Sequence, residues 1–435
     1  MTHRLMRNVV LLCSVLAMHC FAQETPGGTE EFSVNGLKVI LRPNTANAIV
    51  SVQLFLRGGV LNLREDNQGI ERLIFQSALK GSQKYPKDKL NATLDRTAGT
   101  INSVSTKDYT SITLRCVASD FDELWDLYAD VLMHPTFVSD DVELVRQNIL
   151  LSLKQRTDNP DAYLNDLAEA AFFAGHPYRL KPEGVESTIP RLTVEQMKQY
   201  LGENLVTSKL LLVVVGDVSR SDLEAKLGRT LGMLPRGSYT PVLPPAVVHN
   251  EPSLQVTEKA LPTNYITGYF TVPTLRDPDY YAMLVAISIL RTRLFEEVRT
   301  KRNLSYAPGA GAADQFANHG FIYVTAVSPD TTIKVMREEL RKLREVPVAA
   351  SDLQERVSLF LTAYNLRSES DAAQGQFLAL FELSGLGWRA QERFIENIRR
   401  VTAQDVMRVA SADFKNLQYV VLGDPKKIDR SAFGL

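Results

Sequence analysis

The sequence predicts an α+β protein of two homologous halves, each a largely antiparallel sheet with helices packed on one face. Three observations point there. Within each half, strand-period segments come early, helix-period segments fill the middle, and a strand closes the unit. A long repeat divides the chain: Ile189-Pro-Arg-Leu-Thr-Val-Glu-Gln-Met-Lys is echoed by Ile398-Arg-Arg-Val-Thr-Ala-Gln-Asp-Val-Met, and each copy leads into a β-run ending in Gly-Asp (Gly216-Asp217 and Gly423-Asp424). A Thr-led helix start, a helix, a strand and Gly-Asp, twice in the same order, mark a duplication. Between the halves, residues 235–252 hold five prolines and little periodicity, as expected of a linker. The expected domains are therefore 23–234 and 253–435, joined by 235–252.

The elements follow in chain order. Residues 1–22 read as a secretory leader: Arg4 and Arg7 precede the apolar run Val9–Met18, and Cys20-Phe21-Ala22 offers a small-x-small cleavage site before Gln23. The run is shorter than the roughly 20 residues of a membrane span, so the mature chain is expected to be exported to a periplasm without a membrane anchor, cut after Ala22. In the first half, Leu37–Leu41 and Ile49–Leu56 read as strands, followed by a helix beginning at Gly69. Leu90–Ala98 reads as a helix, Thr100–Ser105 with Tyr109–Val117 as a hairpin, and Phe121–Met133 and Val142–Thr157 as helices. The second half reads as strand Tyr265–Val272, helix Tyr280–Arg299, strands Tyr306–Gly311 and Phe321–Val327, and helices Ile333–Leu343 and Leu353–Leu366.

Composition narrows the function. A formal net charge of −1 gives no basis for nucleic-acid or membrane-surface binding. Cys13 and Cys20 leave with the leader, so Cys116 stands alone and no intramolecular disulfide can form. Its alternating surroundings, Ser-Ile-Thr-Leu-Arg-Cys-Val, favour a small buried filler over a reactive thiol.

The segment Gly69–Pro86 reads G-I-E-R-L-I-F-Q-S-A-L-K-G-S-Q-K-Y-P. By itself it is an amphipathic helix, with Ile70, Leu73, Ile74, Ser77 and Ala78 on one stripe. Its frame resembles the active-site helix of the pitrilysin/insulinase-type zinc peptidases, in which an inverted H-x-x-E-H motif lies between a Gly-Leu and a Lys-Gly-Thr/Ser…Tyr-Pro. That motif sets two imidazoles and a carboxylate on one helical face, the carboxylate acting as base on a zinc-bound water. The matching positions here are Arg72, Phe75 and Gln76. Arg72 is a permanent cation with no acceptor, Phe75 cannot take a proton, and the neutral amide oxygen of Gln76 suits harder cations than zinc. The family's third ligand, a Glu ahead of Asp-Asn-Pro, falls in Gln147–Leu153 ahead of Asp158-Asn159-Pro160, where Leu151 and Ser152 stand instead. The remaining histidines of the mature chain, His134, His176, His249 and His319, are too scattered to share a helix turn or a hairpin, and His176-Pro-Tyr resembles a structural family loop. The expectation is that this chain holds no catalytic zinc.

A second run, Leu294-Phe-Glu-Glu-Val-Arg-Thr-Lys-Arg-Asn-Leu-Ser-Tyr306, resembles the one that supplies an Arg and a Tyr to the zinc site in that family. Arg299 and Tyr306 keep its spacing of seven. The plainer reading is a basic helix end favoured by the macrodipole, followed by a strand tyrosine. The resemblance covers nearly all of the mature chain and implies two halves closing like a clamshell. It also implies the role of the degenerate subunit in bacterial two-chain forms: no cofactor of its own, zinc in an H-x-x-E-H partner, and Arg299 and Tyr306 lent to that partner's site for peptide hydrolysis. Family members bind peptide along an edge strand. Its match here is Gly99–Ser105, where Asn102 becomes a candidate substrate-binding residue. The alternative is an inactive peptidase-fold scaffold that holds peptide or serves assembly.

Overall fold

The computed structural model describes residues 28–435, so the leader expected over residues 1–22 lies outside them. The first half opens with strands β1 (Glu30–Val34), β2 (Leu37–Pro43) and β3 (Ile49–Arg57), then helices α1 (Ile70–Ala78) and α2 (Lys87–Thr97). Hairpin strands β4 (Thr100–Ser105) and β5 (Tyr109–Val117) follow, then α3 (Phe121–Met133), α4 (Ser139–Asp158), α5 (Pro160–Phe172) and α6 (Val194–Asn204). Strand β6 (Leu210–Gly216) closes the sheet and α7 (Arg220–Gly228) ends the half. The second half runs β7 (Ser253–Glu258), β8 (Asn264–Thr271), α8 (Tyr280–Leu294), β9 (Gly309–Ala312) and β10 (His319–Ala326). It continues with α9 (Pro329–Glu345), α10 (Ala350–Arg367), α11 (Asp371–Leu383), α12 (Phe394–Arg399), α13 (Ala403–Asp413) and β11 (Gln418–Gly423). Among the described residues no helix is long and apolar enough to cross a membrane.

The two sheets share one topology, which shows the duplication in three dimensions. The first has the order β1-β2-β6-β3-β5-β4 and the second β7-β11-β8-β10-β9. In each, the closing strand inserts between the first two core strands: β6 pairs parallel to β2 and antiparallel to β3, and β11 pairs parallel to β7 and antiparallel to β8. All other pairings are antiparallel. The repeated helix starts are capped alike, since Thr193 and Thr402 each form a reciprocal capping box, with Gln196 and Asp405 respectively.

The α+β class is as expected, with one addition. Strand β6, Leu-Leu-Leu-Val-Val-Val-Gly, is buried at every position, so both faces of its sheet are covered. The second cover comes from the other half. Helix α11 packs on β3 and β6, and α5 packs on β8 and β11. Leu378, Ala379 and Leu383 of α11 join Phe55, Leu211 and Val213 in one cluster. From the other side, Phe172 of α5 meets Tyr269 edge-on at 5.9 Å. Cys116 is buried in β5, and burial pushes its thiol up to about 12, which leaves it chemically quiet.

Candidate functional site

Helix α1 begins at Gly69, whose φ of 85° and approach to Gly184 leave no room for a side chain: an added Cβ would lie 2.5 Å from the Gly184 Cα. The helix packs on α4, bringing together two positions that the resemblance assigns to metal ligands. The Arg72 guanidinium donates to the Ser152 hydroxyl at 3.0 Å and to the Glu183 carbonyl at 3.3 Å. Ser152 in turn donates to the Ile149 carbonyl at 2.7 Å. Burial pulls the Arg72 guanidinium below its usual value, with Glu183 opposing. Phe75, 2% exposed, belongs to the main core, Gln76 is half-buried, and Leu151 faces outward. A guanidinium, a phenyl ring, an amide and a hydroxyl do not fit a zinc ion. Among the described residues no three His, Cys, Asp or Glu side chains gather into a group that could hold a metal.

Glu71, which sequence reasoning passed over, is the one carboxylate on α1. It is buried and accepts from Asn62 Nδ2 at 3.0 Å and from the hydroxyls of Thr110 and Tyr200. Burial raises its pKa, and those hydrogen bonds oppose the rise. With its oxygens committed to three donors, Glu71 ties α1 to β5 and α6. Three of the histidines that looked scattered in the sequence converge on one aromatic pair: His249 and His319 lie 4.6 and 5.5 Å from the Phe172 ring, and His176 and His319 each lie 5.5 Å from Phe173. His176 Nδ1 accepts from the Tyr178 amide at 3.1 Å while Nε2 donates to the Pro245 carbonyl at 3.0 Å, so it braces a turn against the inter-half segment. His134 pairs with Asp130, His249 contacts the Phe172 carbonyl, and burial lowers His319 to about 4.

Arg299 and Tyr306 come together. After Leu294 the α8 helix widens into a π-helical turn, Phe295–Thr300, and Arg299 lies within it. Such turns recur at functional sites. The Arg299 guanidinium lies over the Tyr306 ring at 4.0 Å from its centroid and over the Phe295 ring at 4.8 Å. Tyr306 is 79% exposed and Phe295 43%. Among the described residues no carboxylate pairs with Arg299. The adjacent Glu297 is taken by Lys301 and Arg302, whose hydrogen bonds hold it at about 2.

One expectation needs correction: Tyr306 is not in a strand. Asn303 turns the chain at a φ of 50°, Pro308 has no N–H for a ladder, and β9 starts only at Gly309. Tyr306 therefore sits in a loop with its ring in the open.

Asn102 lies on β4, the edge strand, paired with β5 on one side only, opposite Thr113. It is exposed, as is its neighbour Val104, and α1 packs beside the strand. The other half holds a feature with no sequence signal, because its parts are remote in the chain. Helices α8, α10 and α11 border a cleft of about 630 Å³, lined by Tyr280, Phe360, Tyr364, Phe377 and Phe394 with Arg367 among them. By sheet topology, α8, α10 and β9 are the counterparts of α1, α4 and β4.

Residues 38–183 match the family model for insulinase (peptidase family M16), and residues 191–359 match the model for the peptidase M16 inactive domain. The chain belongs to the insulinase (M16) peptidase family. It is 20% identical over 404 residues to an uncharacterized zinc protease of Rickettsia felis, covering 89% of this chain and 96% of that one. It is 26% identical over 182 residues to cytochrome b-c1 complex subunit 1 of Caenorhabditis elegans, covering 42% and 38%. The crystal structure of a peptidase M16 inactive domain from Pseudomonas fluorescens superposes with a TM-score of 0.84 at 19% identity, covering 91% and 98%. The protein thus has a peptidase-family fold, with the inactive-domain match running from α6 of the first half into α10 of the second.

Proposed function

We propose that this chain is the non-catalytic subunit of a two-chain zinc peptidase, exported to the periplasm after removal of residues 1–22, and that it lends Arg299 and Tyr306 to the zinc site of an H-x-x-E-H partner. The observation that carries this reading is the Arg299–Tyr306 stack, held at 4.0 Å and left open to a partner. Peptide hydrolysis builds negative charge on the carbonyl oxygen. A guanidinium and a phenol brought to that oxygen as one preformed unit would stabilise it in the transition state. The chain itself would bind no zinc, since Arg72 and Ser152 hydrogen-bond to each other where ligands would stand. Asn102, on the unpaired edge of β4, would at most help to hold an extended peptide.

The test is co-expression with an H-x-x-E-H homologue encoded beside it. Tyr306→Phe and Arg299→Ala should each cut peptide hydrolysis by about 10²-fold, the scale of a lost oxyanion donor, with both subunits still co-purifying. Unchanged hydrolysis would remove the assigned role. A second reading, a peptide-holding or assembly scaffold, is favoured by the aromatic cleft bordered by α8, α10 and α11. It predicts that peptide binds this chain alone and that no homologue turns the mixture into a peptidase.

A further inference from the structure

Helix α9 carries Lys334, Arg337, Arg341 and Arg344 at spacings of three, four and three, which places them along one face. They flank the core stripe of Ile333, Met336, Leu340 and Leu343 by one residue. Facing them are Lys415, in the turn before β11, and the last residues around Phe433. The cleft between has a volume of about 410 Å³ and is lined by five cations and a single carboxylate, Glu338. Glu338 is already engaged, pairing with Arg341 at 2.7 Å, and Arg341 also pairs with Glu345. No ion pair among the described residues involves Lys334, Arg337, Arg344 or Lys415. In a chain of net charge −1, this is a local excess of positive charge, offset only in part by Asp429 and Asp413, whose carboxylates feel Lys334 and Lys415 respectively.

Two details distinguish the cleft from a solvated basic surface. The Arg344 Nε is buried and has no hydrogen-bond partner, although a buried charged donor left unpaired is costly. Arg337 is held in place by donating to the Ala432 carbonyl at 2.8 Å. Both guanidiniums line the same cleft as the buried phenol of Tyr419. Guanidiniums lining one cleft can grip the oxygens of a tetrahedral oxyanion through paired N–H groups.

We propose that the cleft between α9 and the turn at Lys415 binds a phosphate-type anion, with Arg344 and Arg337 gripping it and Lys334 and Lys415 flanking it as point charges. The anion can come from a free phosphate or from the headgroup of an anionic lipid. Helix α9 packs against the π-turn that carries Arg299, but the cleft shares no residue with the Arg299–Tyr306 stack and stands or falls independently of the proposed peptidase role.

The experiment uses the mature chain at matched ionic strength in chloride. Calorimetry and thermal unfolding are followed with added pyrophosphate, and co-sedimentation with phosphatidylglycerol vesicles against phosphatidylcholine vesicles. Arg344→Gln and the exposed Lys415→Gln are compared with the parent, so that a folding defect in the first leaves the second informative. Binding of pyrophosphate that weakens about tenfold in each variant, the scale of one lost charge-assisted contact, supports the site with a free anion as ligand. Sedimentation with phosphatidylglycerol alone, lost in the variants, supports it with the lipid headgroup as source. Binding to neither probe, or binding indifferent to both substitutions, overturns it.

Discussion

The two halves make an internal comparison, because the same order of core strands frames both while different side chains occupy corresponding places. In the first half, α1 and α4 are joined by the Arg72–Ser152 hydrogen bond, and Phe75 is packed into the core. In the second half, the counterpart helices α8 and α10 border a cleft of about 630 Å³, and the turn after α8 presents a guanidinium stacked on an open phenol. The difference teaches that one framework can hold quite different surroundings at corresponding places: strand order is alike in both copies, while side chains close the site in one and leave a cleft and an exposed Arg–Tyr stack in the other.

That contrast can be broken most forcefully at Phe75. Phe75→Glu restores the family's carboxylate in name, but it removes a core ring and buries a charge. Urea denaturation should show a loss of about 3–5 kcal/mol, and a near-neutral result would mean that the first half is not closed as described. The next largest effect concerns the second half. Arg299→Lys keeps the charge but loses the planar stack, and should lower hydrolysis by the partnered enzyme about tenfold to a hundredfold. The same substitution should change unfolding stability by less than about 0.5 kcal/mol, because the site is at the surface.

A third test addresses the buried polar network beside α5. Burial pushes the Glu169 carboxyl up, yet Lys107 and Lys181, each 3.0 Å away, outweigh it and hold the group at about 2. The folded value lies below the unfolded one, so ionised Glu169 favours folding. Its contribution is complete above about pH 4.5 and is lost as pH falls toward 2. The loss should amount to roughly 2–3 kcal/mol, and Glu169→Gln should remove that part of the pH dependence. The smallest effect is at the closed site itself: Arg72→Ala should cost about 1–2 kcal/mol, read by the same denaturation.

What could be read from the sequence was what is local. Tyr109–Val117 and Phe121–Met133 fall where alternation and helical period place them, residue for residue, and the Thr193 and Thr402 starts are capping boxes that need no tertiary context. Helix α5 escaped notice because Asn159-Pro160 reads as a stop. In the structure Asn159 caps the new helix, accepting from the Ala162 amide at 3.0 Å, and Pro160 takes its first position. Helix α11 was missed because it is packed against both halves, which blurs the one-sided stripe that periodicity detects. The frames at Arg72, Ser152, Arg299 and Tyr306 were visible, but three spatial facts were not. These are the bond between Arg72 and Ser152, the stack of Arg299 on Tyr306, and the cleft bordered by α8, α10 and α11.

The exchange of α5 and α11 across the two sheets bears on how such a chain arose. Each sheet has a face that only the other half can cover, so a solitary half would expose a row of apolar side chains to water. Two identical ancestral units trading that helix would already form a closed, symmetric pair, and fusion would merely have tied them together. If so, the tether at residues 235–252 is dispensable. Residues 28–234 and 253–435 expressed as separate chains should assemble one to one, whereas either alone should aggregate; a soluble, monomeric half would argue against this history.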